Sequence, residues 1–527
     1  MDARVENAMK TTGMKKVIDI RLNVQPIFLA LYHEHVFEGP CRFGKGDELK
    51  KEYDLALDAM IYDRTAANWK TMFDEKDVNV LEPIILYRDE TFLTTDWMLE
   101  EIAKTAEQTD IYLFATASRP YDLIVEFAQR IKKPICMMQD CCGSSIVIPA
   151  CRARGVECWG FTDMEDANLT FKALRVRKAL SELKVLALVR NNSNVSISAP
   201  DSFVSLEDVT MRFGARFRFL NIHELLDYTH VIPQTENHTT PGRHDGLNLT
   251  EDEMKEAEAM ADEFIAKAEE CHMERDMVAE TFRAYRTILK VMNAFECNAF
   301  TAPCPDVCAT RRINEEKFTF CLTHSLLNEQ GVPSACEYDV PALFGAMLLQ
   351  NVSRCPSYQG NTITAPLVNG MRSFVPRGAL LNRESVEKAD KELGELENVC
   401  LTFHAVPTRF PRGFESAMEP YSIRSFAHSG FGATVRYDFK RDIGESITMA
   451  RFDPTGTKLF VAKGKICGGV GYGDRNCSEG VFFQVENSSD FFQKQLWFGN
   501  HVPLVYGDWM KEMVRVGEIL GLEVITA

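Results

Sequence analysis

The first third of the chain alternates short, continuous apolar runs with segments of helical periodicity. The apolar runs lie at 16–22 (KVIDIRL), 82–88 (EPIILYR), 110–118 (DIYLFATAS) and 133–140 (KPICMMQD). Between the last three runs lie TDWMLEEIAKTAEQ and YDLIVEFAQRIKK, whose apolar residues recur at helical spacing. Continuous apolar strands separated by amphipathic helices are typical of βαβ units, in which helices cover both faces of a parallel sheet. The pattern therefore predicts a doubly wound α/β domain.

A second α/β domain is expected after a connecting helix at 165–183 and a new strand at 184–190. The clearest predicted helix is TEDEMKEAEAMADEFIAKAEEC, because Thr250 and Glu253 form a capping-box pattern ahead of an apolar face. It follows a polar loop at 230–248. Further along, 444–466 has the pattern of two strands around a Pro-Thr-Gly turn, and GVFFQVEN adds another strand. We predict three domains, which are α/β at 1–172, α/β at 173–352, and β-rich and antiparallel or barrel-like at 353–527.

Composition and charge exclude several classes of function. The 527 residues include 59 Lys and Arg against 76 Asp and Glu, a net charge of −17, and no basic stripe, so a nucleic-acid partner is not expected. The N-terminal segment lacks the apolar core of a signal peptide, and no apolar run is long enough to span a membrane. We therefore expect a cytoplasmic protein with no membrane partner. Its 16 cysteines are expected to be mainly reduced thiols, without the spacing of a zinc site.

The candidate functional residues are a carboxylate, an amide and two imidazoles. The chain has no P-loop, no Gly-x-Ser-x-Gly and no His-Glu-x-x-His motif, and GGVGYGD at 468–474 follows a hairpin pattern instead of a βαβ strand. What remains on short loops beside core elements is Glu337, Asn361, His404 and His501. Each also has a purely structural interpretation: Glu337 in the first turn of a helix, Asn361 in a turn, and each histidine as a packed side chain. Their position at the ends of core elements favours a binding site, since open α/β folds bind ligands there.

The segment GVPSACEYDVPALFGAMLLQNVSRCPSYQGNT at 331–362 resembles the L-fucose/L-arabinose isomerase superfamily, and most closely its L-fucose isomerase branch. In that branch a Glu-x-Asp follows a Gly-x-Pro approach, and a metal-binding aspartate follows a later Pro-x-aromatic step. Further similar segments are TEDEMKEAEAMADEFI, AYRTILKVMNAFECNAF, LTFHAVP, ESITMARF and GNHVPLVYGD. The order and spacing of these segments extend the resemblance over roughly residues 250–527.

The resemblance implies an enzyme that interconverts an aldose and a ketose through an enediol, with a small-molecule sugar as substrate. It implies a divalent metal, commonly manganese with magnesium or cobalt as alternatives, in a cleft near the subunit interfaces of a homo-oligomer, a trimer or a hexamer. Glu337 matches the metal-binding glutamate that also moves protons, and His501 matches the C-terminal histidine ligand. Asn361 stands where L-fucose isomerases have their second acidic ligand, and we expect it to bind the metal and to take part in catalysis. The expected substrate-binding residues are Arg21, His404 and Asn500.

Elementary chemistry agrees with these expectations. Moving a hydrogen between C1 and C2 needs a base, and a divalent ion stabilises the enediolate as a Lewis acid. Oxygen and imidazole ligands suit manganese or magnesium better than thiolates do, so Cys336 and Cys355 are expected to pack in the core. Asp339 is expected to support Glu337 as an acceptor. Two alternatives stay open, an isomerase for an anionic or otherwise modified sugar and a non-catalytic sugar-binding or regulatory protein on the same fold.

Overall fold

A computed structural model of the chain describes residues 13–39, 42–90, 95–117, 120–138, 141–161, 163–190, 199–231, 247–308, 311–368, 371–372 and 381–527. The chain divides into two compact units. One is Ile20–Arg175, and the other is Val176–Ala527 together with the segment that ends at Asp19. The division falls inside the helix Met164–Ser181, which corresponds to the predicted connecting helix. The boundary predicted at residue 352 stays a prediction.

The unit Ile20–Arg175 is built on a parallel sheet flanked by helices. Its strands are β1 (Leu22–Tyr32), β2 (Val78–Val80), β3 (Ile84–Asp89), β4 (Ile111–Thr116), β5 (Ile135–Met137) and β6 (Cys158–Gly160). The order is β2-β1-β4-β5-β6, and β3 also pairs with β1, all in parallel register. The helices lie at Lys51–Thr71, Asp96–Ala103, Tyr121–Ile131 and Cys141–Arg152, with a 3₁₀ turn at Gly46–Leu49. The predicted doubly wound α/β class is confirmed.

The strand predicted at 16–22 is wrong, because a 3₁₀ turn occupies Val17–Asp19 and the strand runs over Leu22–Tyr32. The segment Leu22–Tyr32 does not look like a central strand in the sequence, because it contains Pro26 and proline is rare inside such strands. Here Pro26 lies where the neighbour of β1 changes from β2, which pairs up to Val24, to β3, which pairs from Ile27. The missing backbone N–H of Pro26 therefore removes no hydrogen bond from the pairing of β1 with β2 or with β3.

The second unit contains a parallel sheet of order β11-β10-β7-β8. Its strands are β7 (Lys184–Val189), β8 (Arg216–Asn221), β10 (Ala299–Ala302) and β11 (Ser334–Cys336). The helices around it lie at Leu206–Phe213, Ile222–Tyr228, Glu251–Lys267, Arg275–Ala294, Cys304–Cys308, Arg311–Glu316, Cys321–Glu329 and Val340–Ser353. The capping box of Thr250 and Glu253 is confirmed. The polar loop predicted at 230–248 lies largely outside the described residues.

The C-terminal part of this unit is an antiparallel barrel. Its neighbouring strands are, in order, β12 (Asn361–Thr364), β15 (Val399–Phe403), β20 (Gly480–Gln484), β19 (Lys458–Val470), β18 (Ser446–Phe452) and β21 (Leu504–Tyr506). Antiparallel bridges between Tyr358 and Leu504 and between Asn361 and His501 join the last strand to the first and close the barrel. The β-rich, barrel-like third region is therefore confirmed.

Smaller elements complete this unit. The strand β22 (Glu523–Thr526) pairs in parallel with β19, and β13 (Leu367–Val368) pairs with β14 (Met371–Arg372). A short sheet combines β9 (Glu270–Cys271), β16 (Ser422–Ser425) and β17 (Ala433–Arg436). The remaining helices are Arg383–Leu393, Ser488–Gln495 and Met510–Ile519, with a 3₁₀ turn at Phe439–Asp442. Within the described residues, no helix combines the length and the apolarity needed to cross a membrane.

The helix Val340–Ser353 connects the parallel sheet to the barrel. All of its residues are buried, which fits an apolar sequence without a polar face. Gly345 lets this helix lie directly on β18, because a Cβ atom at that position would overlap the carbonyl oxygen of Ala450 and come within 3.2 Å of the Cα atom of Arg451. The approach of helix and barrel therefore depends on a missing side chain.

Gly345→Ala should destabilise the protein by about 2 kcal/mol, the scale of overpacking in a tight core, although alanine is the better helix former. Gly473→Ala is the matched control, because nothing lies within 4 Å of the added Cβ atom there and its φ is ordinary. The control should change the free energy of unfolding by less than about 0.5 kcal/mol. Denaturant unfolding of both variants measures this, and a stabilised Gly345→Ala protein would contradict the packing described here.

Candidate metal centre

Glu337 follows β11 at the carboxyl end of the parallel sheet. It is not a first-turn residue, because the next helix begins at Val340 with Asp339 as its N-cap. Glu337 and Tyr338 both adopt left-handed backbone conformations, with φ of 62° and 60°. Two consecutive non-glycine residues in this region cost free energy, and such strain is concentrated at functional sites.

Two histidines from the barrel face this carboxylate. His404 follows β15, and its Nε2 lies 3.4 Å from Glu337 Oε1. His501 precedes β21, and its Nε2 lies 3.5 Å from Glu337 Oε2. Both imidazoles are 1% exposed, while the Glu337 side chain keeps 18% exposure. One donor atom from each of the three residues lies within 4.8 Å of the other two, which is close enough for the three to share one metal ion.

The charges of these groups are adjusted by burial and by one another. Burial raises the pKa of Glu337, but the hydrogen bond with His404 and the charge of His501 outweigh it, so the pKa falls below its usual range. Burial lowers the pKa of His404, and the nearby Glu337 only partly opposes this. For His501 the order is reversed, because the bond with Asp339 and the charge of Glu337 overcome burial and raise its pKa. The site thus presents a carboxylate that stays ionised.

Asp339 holds His501 from behind. It is fully buried, and its Oδ2 lies 3.0 Å from His501 Nδ1 and accepts from Arg451 Nη1 at 2.6 Å. Its Oδ1 accepts from the amide of Ala342 at 3.0 Å and caps the helix. Burial raises the pKa of Asp339, but Arg451 and His501 lower it by more. The pKa therefore lies below its usual range, and Asp339 is ionised. The expectation that Asp339 supports Glu337 is wrong, because its carboxylate bonds instead with His501, Arg451 and the amide of Ala342.

Arg451 is the hub of this supporting network. It lies on β18, is fully buried, and donates from Nη1 to the carbonyl oxygen of His501 at 2.8 Å and from Nε to that of Phe498 at 2.8 Å. Its Nη2 donates to Asp201 Oδ2 at 2.9 Å, and that oxygen also accepts from the amide of Asn500. The guanidinium therefore fixes both the ring and the backbone of the segment that carries His501.

A second network places His404. The hydroxyl of Tyr358 lies 2.8 Å from the amide nitrogen of His404 and donates to the carbonyl oxygen of Glu479 at 2.8 Å. In the same loop, the side chain of Gln359 accepts from the amide of Cys336 at 2.9 Å. The loop that precedes β12 thus ties the end of β11 to the barrel, and it holds Glu337 and His404 in register.

Asn361 and Asn500 lie beside this cluster. Asn361 faces His501 across the seam of the barrel in a pair without mutual backbone hydrogen bonds, because Thr362 and Gly360 carry the flanking bonds. The side chains of such a pair lie close together on one face. Asn361 Oδ1 accepts from the side-chain amide of Asn500, and its Nδ2 donates to the carbonyl oxygen of Phe403 at 3.5 Å. Metal binding by Asn361 and sugar binding by Asn500 stay predictions.

Arg21 belongs to the other unit. It is exposed and lies directly before β1, where its Nη1 donates to the carbonyl oxygen of Glu75 at 3.4 Å. Its role in binding a substrate stays a prediction.

The donor atoms present fit a divalent cation. The buried Nε2 of His501 has no hydrogen-bond partner within the part of the chain that is described, although Nδ1 of the same ring is tied to Asp339. An imidazole oriented by a carboxylate through one nitrogen, with the other nitrogen free, is the usual form of a histidine ligand. The distances of 3.4 and 3.5 Å from Glu337 to the two rings are long for hydrogen bonds, and they leave the carboxylate oxygens available to an ion.

Sequence reasoning missed the supporting groups Arg451, Asp201 and Tyr358. Arg451 lies in the quoted segment ESITMARF two residues after Met449, so a strand places both on one face, which is a weak signal of a buried charge. The structure places His404 in the group of candidate metal ligands, and its expected role in substrate binding stays a prediction. No protein-family model matches the chain, and no curated protein matches its sequence.

Asp339→Asn should destabilise the fold by about 3 kcal/mol, because it leaves Arg451 buried without its closest counter-charge. It should also weaken metal binding by about tenfold or more, since the acceptor that orients His501 is lost. Asp201→Asn is the matched control. Its side chain is 24% exposed and does not touch His501, so a loss of about 1 kcal/mol with nearly unchanged metal affinity is expected. Unfolding curves and metal titrations measure both, and equal effects of the two changes would contradict the network described.

Proposed function

We propose that the protein is a metal-dependent aldose–ketose isomerase that acts on a monosaccharide. The observation that supports this most is the meeting of Glu337 with His404 and His501, an ionised carboxylate and two buried imidazoles from distant parts of the chain. Glu337 and His501 are two of the residues that the resemblance to L-fucose isomerases assigns to the metal.

In this proposal Glu337, His404 and His501 hold the ion, with Asn361 beside them on the seam. A bound divalent cation polarises the sugar oxygens and stabilises negative charge on them. The set of one carboxylate and two imidazoles favours manganese or cobalt over magnesium, because magnesium takes mainly oxygen ligands. We retain manganese as the proposed ion.

Glu337 is the group proposed to move the proton. Its lowered pKa keeps it ionised, and its partial exposure leaves the carboxylate accessible to a substrate. In the direction from aldose to ketose, Glu337 takes the proton from C2 while O1 gains a proton from water, which gives the enediol. Return of the proton from Glu337 to C1, with loss of the O2 proton to water, gives the ketose. Asn361 carries no ionisable group, so proton transfer at carbon belongs to Glu337.

The resemblance also guides the cellular setting that we propose. The protein is placed in the cytoplasm as a homo-oligomer, a trimer or a hexamer, with its sites near subunit interfaces. The neutral Asn361 leaves one negative charge fewer beside the ion than in L-fucose isomerases, which favours an anionic or otherwise modified sugar as the alternative substrate.

Chelation should abolish the isomerase activity, and manganese should restore it best, with cobalt or magnesium partly effective. The assay is ketose formation from a panel of aldoses that includes acidic sugars, run on metal-free and metal-loaded protein. Full activity in protein shown to be metal-free would overturn the metal role. Metal binding without turnover on any sugar would favour the sugar-binding or regulatory alternative.

Glu337→Gln should lower kcat by about a hundredfold or more, the scale of removing a general base, and the fold should stay intact. Glu395→Gln is a suitable control, because it changes an exposed carboxylate outside the cluster. Steady-state kinetics with circular dichroism measure the effect. A Glu337→Gln enzyme that keeps most of its activity would leave this carboxylate with a structural role alone.

Asn361→Asp and His404→Gln distinguish the possible third ligands of the ion. If Asn361 contacts the ion, the added negative charge of Asn361→Asp should tighten manganese binding without raising turnover, because the proton still moves through Glu337. His404→Gln should weaken manganese binding by about tenfold or more. Titration calorimetry of both variants decides between them. Unchanged affinity in Asn361→Asp would make that residue part of the barrel seam only, and unchanged affinity in His404→Gln would exclude His404 as a ligand.

A further inference from the structure

A second group of metal-binding side chains lies on the parallel sheet next to the candidate metal centre. Cys304 begins the helix that follows β10, Cys336 ends β11, and His324 lies in the helix Cys321–Glu329. One donor atom of each lies within 4.8 Å of the other two, and the two sulfur atoms are 3.3 Å apart. His324 and Cys336 are 0% and 1% exposed, while Cys304 is partly exposed.

The hydrogen bonds around His324 involve only one of its two ring nitrogens. The hydroxyl of Ser334 donates its single hydrogen to the carbonyl oxygen of Phe300 at 3.2 Å. His324 Nδ1 lies 2.7 Å from the same hydroxyl oxygen, so this nitrogen is held in a hydrogen bond with Ser334. A neutral ring that carries its proton on Nδ1 has a lone pair on Nε2. This Nε2 is buried and has no hydrogen-bond partner among the residues that the structure describes.

An unpartnered buried nitrogen is costly unless something binds it. Its ring is oriented through Nδ1 in the way that histidine ligands of metals are oriented. Thiols as neighbours are weak hydrogen-bonding groups but strong ligands of soft ions once deprotonated. The cluster therefore has the features of a ligand set that lacks only its ion.

We propose that Cys304, Cys336 and His324 form a second metal site, selective for zinc over manganese. Two thiolates and one imidazole are ligands that zinc prefers, whereas manganese prefers oxygen donors. Two thiolates on one tetrahedral zinc are about 3.8 Å apart, so binding requires the sulfur atoms to separate by only a few tenths of an ångström.

The proposed zinc site and the candidate metal centre differ in their donor atoms, so they should prefer different metal ions. Cys336 and Glu337 are adjacent in the chain, yet Cys336 belongs to the sulfur and imidazole set and Glu337 to the carboxylate and imidazole set. Separate ions can therefore be distinguished by their spectra, and the zinc site does not depend on the isomerase proposal.

Cobalt substitution tests this site, because cobalt(II) bound to thiolates gives an intense near-ultraviolet charge-transfer band and oxygen or imidazole ligands do not. The full-length, reduced, metal-free protein is titrated with cobalt and then with zinc. Because the candidate metal centre also takes cobalt without adding to this band, we expect the band to be complete within two equivalents and to disappear when zinc displaces cobalt. Glu337→Gln should keep the band. Cys304→Ser and Cys336→Ser should each remove most of it, and Ser334→Ala should weaken cobalt binding by about tenfold or more.

Cys355→Ser is the matched control, since Cys355 is a buried free cysteine outside the cluster and should keep the full band. If the cluster variants do not fold, zinc X-ray absorption of the wild-type protein gives the answer independently. Two sulfur ligands with at least one imidazole are expected. An absent charge-transfer band in the wild type, a band that persists in both cluster variants, or a zinc shell of oxygen and nitrogen alone would overturn the proposal.

Discussion

The buried ion pair between Asp339 and Arg451 is the interaction on which the arrangement of the candidate metal centre depends. Both side chains are fully buried, and the two atoms that meet are 2.6 Å apart. A buried charge of either sign alone is strongly unfavourable, so each residue requires the other. Asp339 also caps the helix Val340–Ser353, and Arg451 lies on β18 of the barrel. The pair therefore fastens the end of the parallel sheet to the barrel wall, and it orients His501 at that junction.

The same junction explains how residues far apart in sequence come together. Glu337 is delivered by a left-handed turn after β11, His404 by the end of β15, and His501 by the seam that closes the barrel. Gly345 allows the connecting helix to approach β18 closely enough for the ion pair to form. Packing, charge pairing and backbone strain thus act at one place, which is the combination expected where a rigid scaffold positions a reactive group.

Much of the fold followed from local patterns. The apolar strand at 184–190, the capping box at Thr250 and the hairpin around 444–466 each carry their signal within a few residues, and the structure confirms all three. The strand predicted at 16–22 failed because Pro26 is tolerated at a change of neighbour that only the assembled sheet reveals. A pattern within a few residues cannot show which strands become neighbours in the folded sheet.

The residues of the candidate site divide in the same way, into those that short motifs indicate and those that only the folded chain brings together. The loop positions of Glu337, Asn361 and His501 mark them as candidates and the resemblance assigns them to the metal; the structure brings Glu337 and His501 together and sets Asn361 opposite His501. The barrel brings His404 among the candidate ligands and places Arg451 behind them. No short sequence pattern indicates that the barrel closes. The sequence likewise does not indicate that Cys304, His324 and Cys336 form a group, because their spacing matches no zinc motif. The two thiols come together through the parallel pairing of β10 with β11.

The central claim is that Glu337, His404 and His501 hold one ion at the junction of sheet and barrel. A crystal of the protein soaked in manganese, with diffraction data collected on both sides of the manganese absorption edge, tests it most directly. We predict one strong anomalous peak within bonding distance of a Glu337 oxygen and of the Nε2 atoms of both histidines. A peak elsewhere in the chain, or none at this cluster in a crystal that contains manganese, would contradict the account.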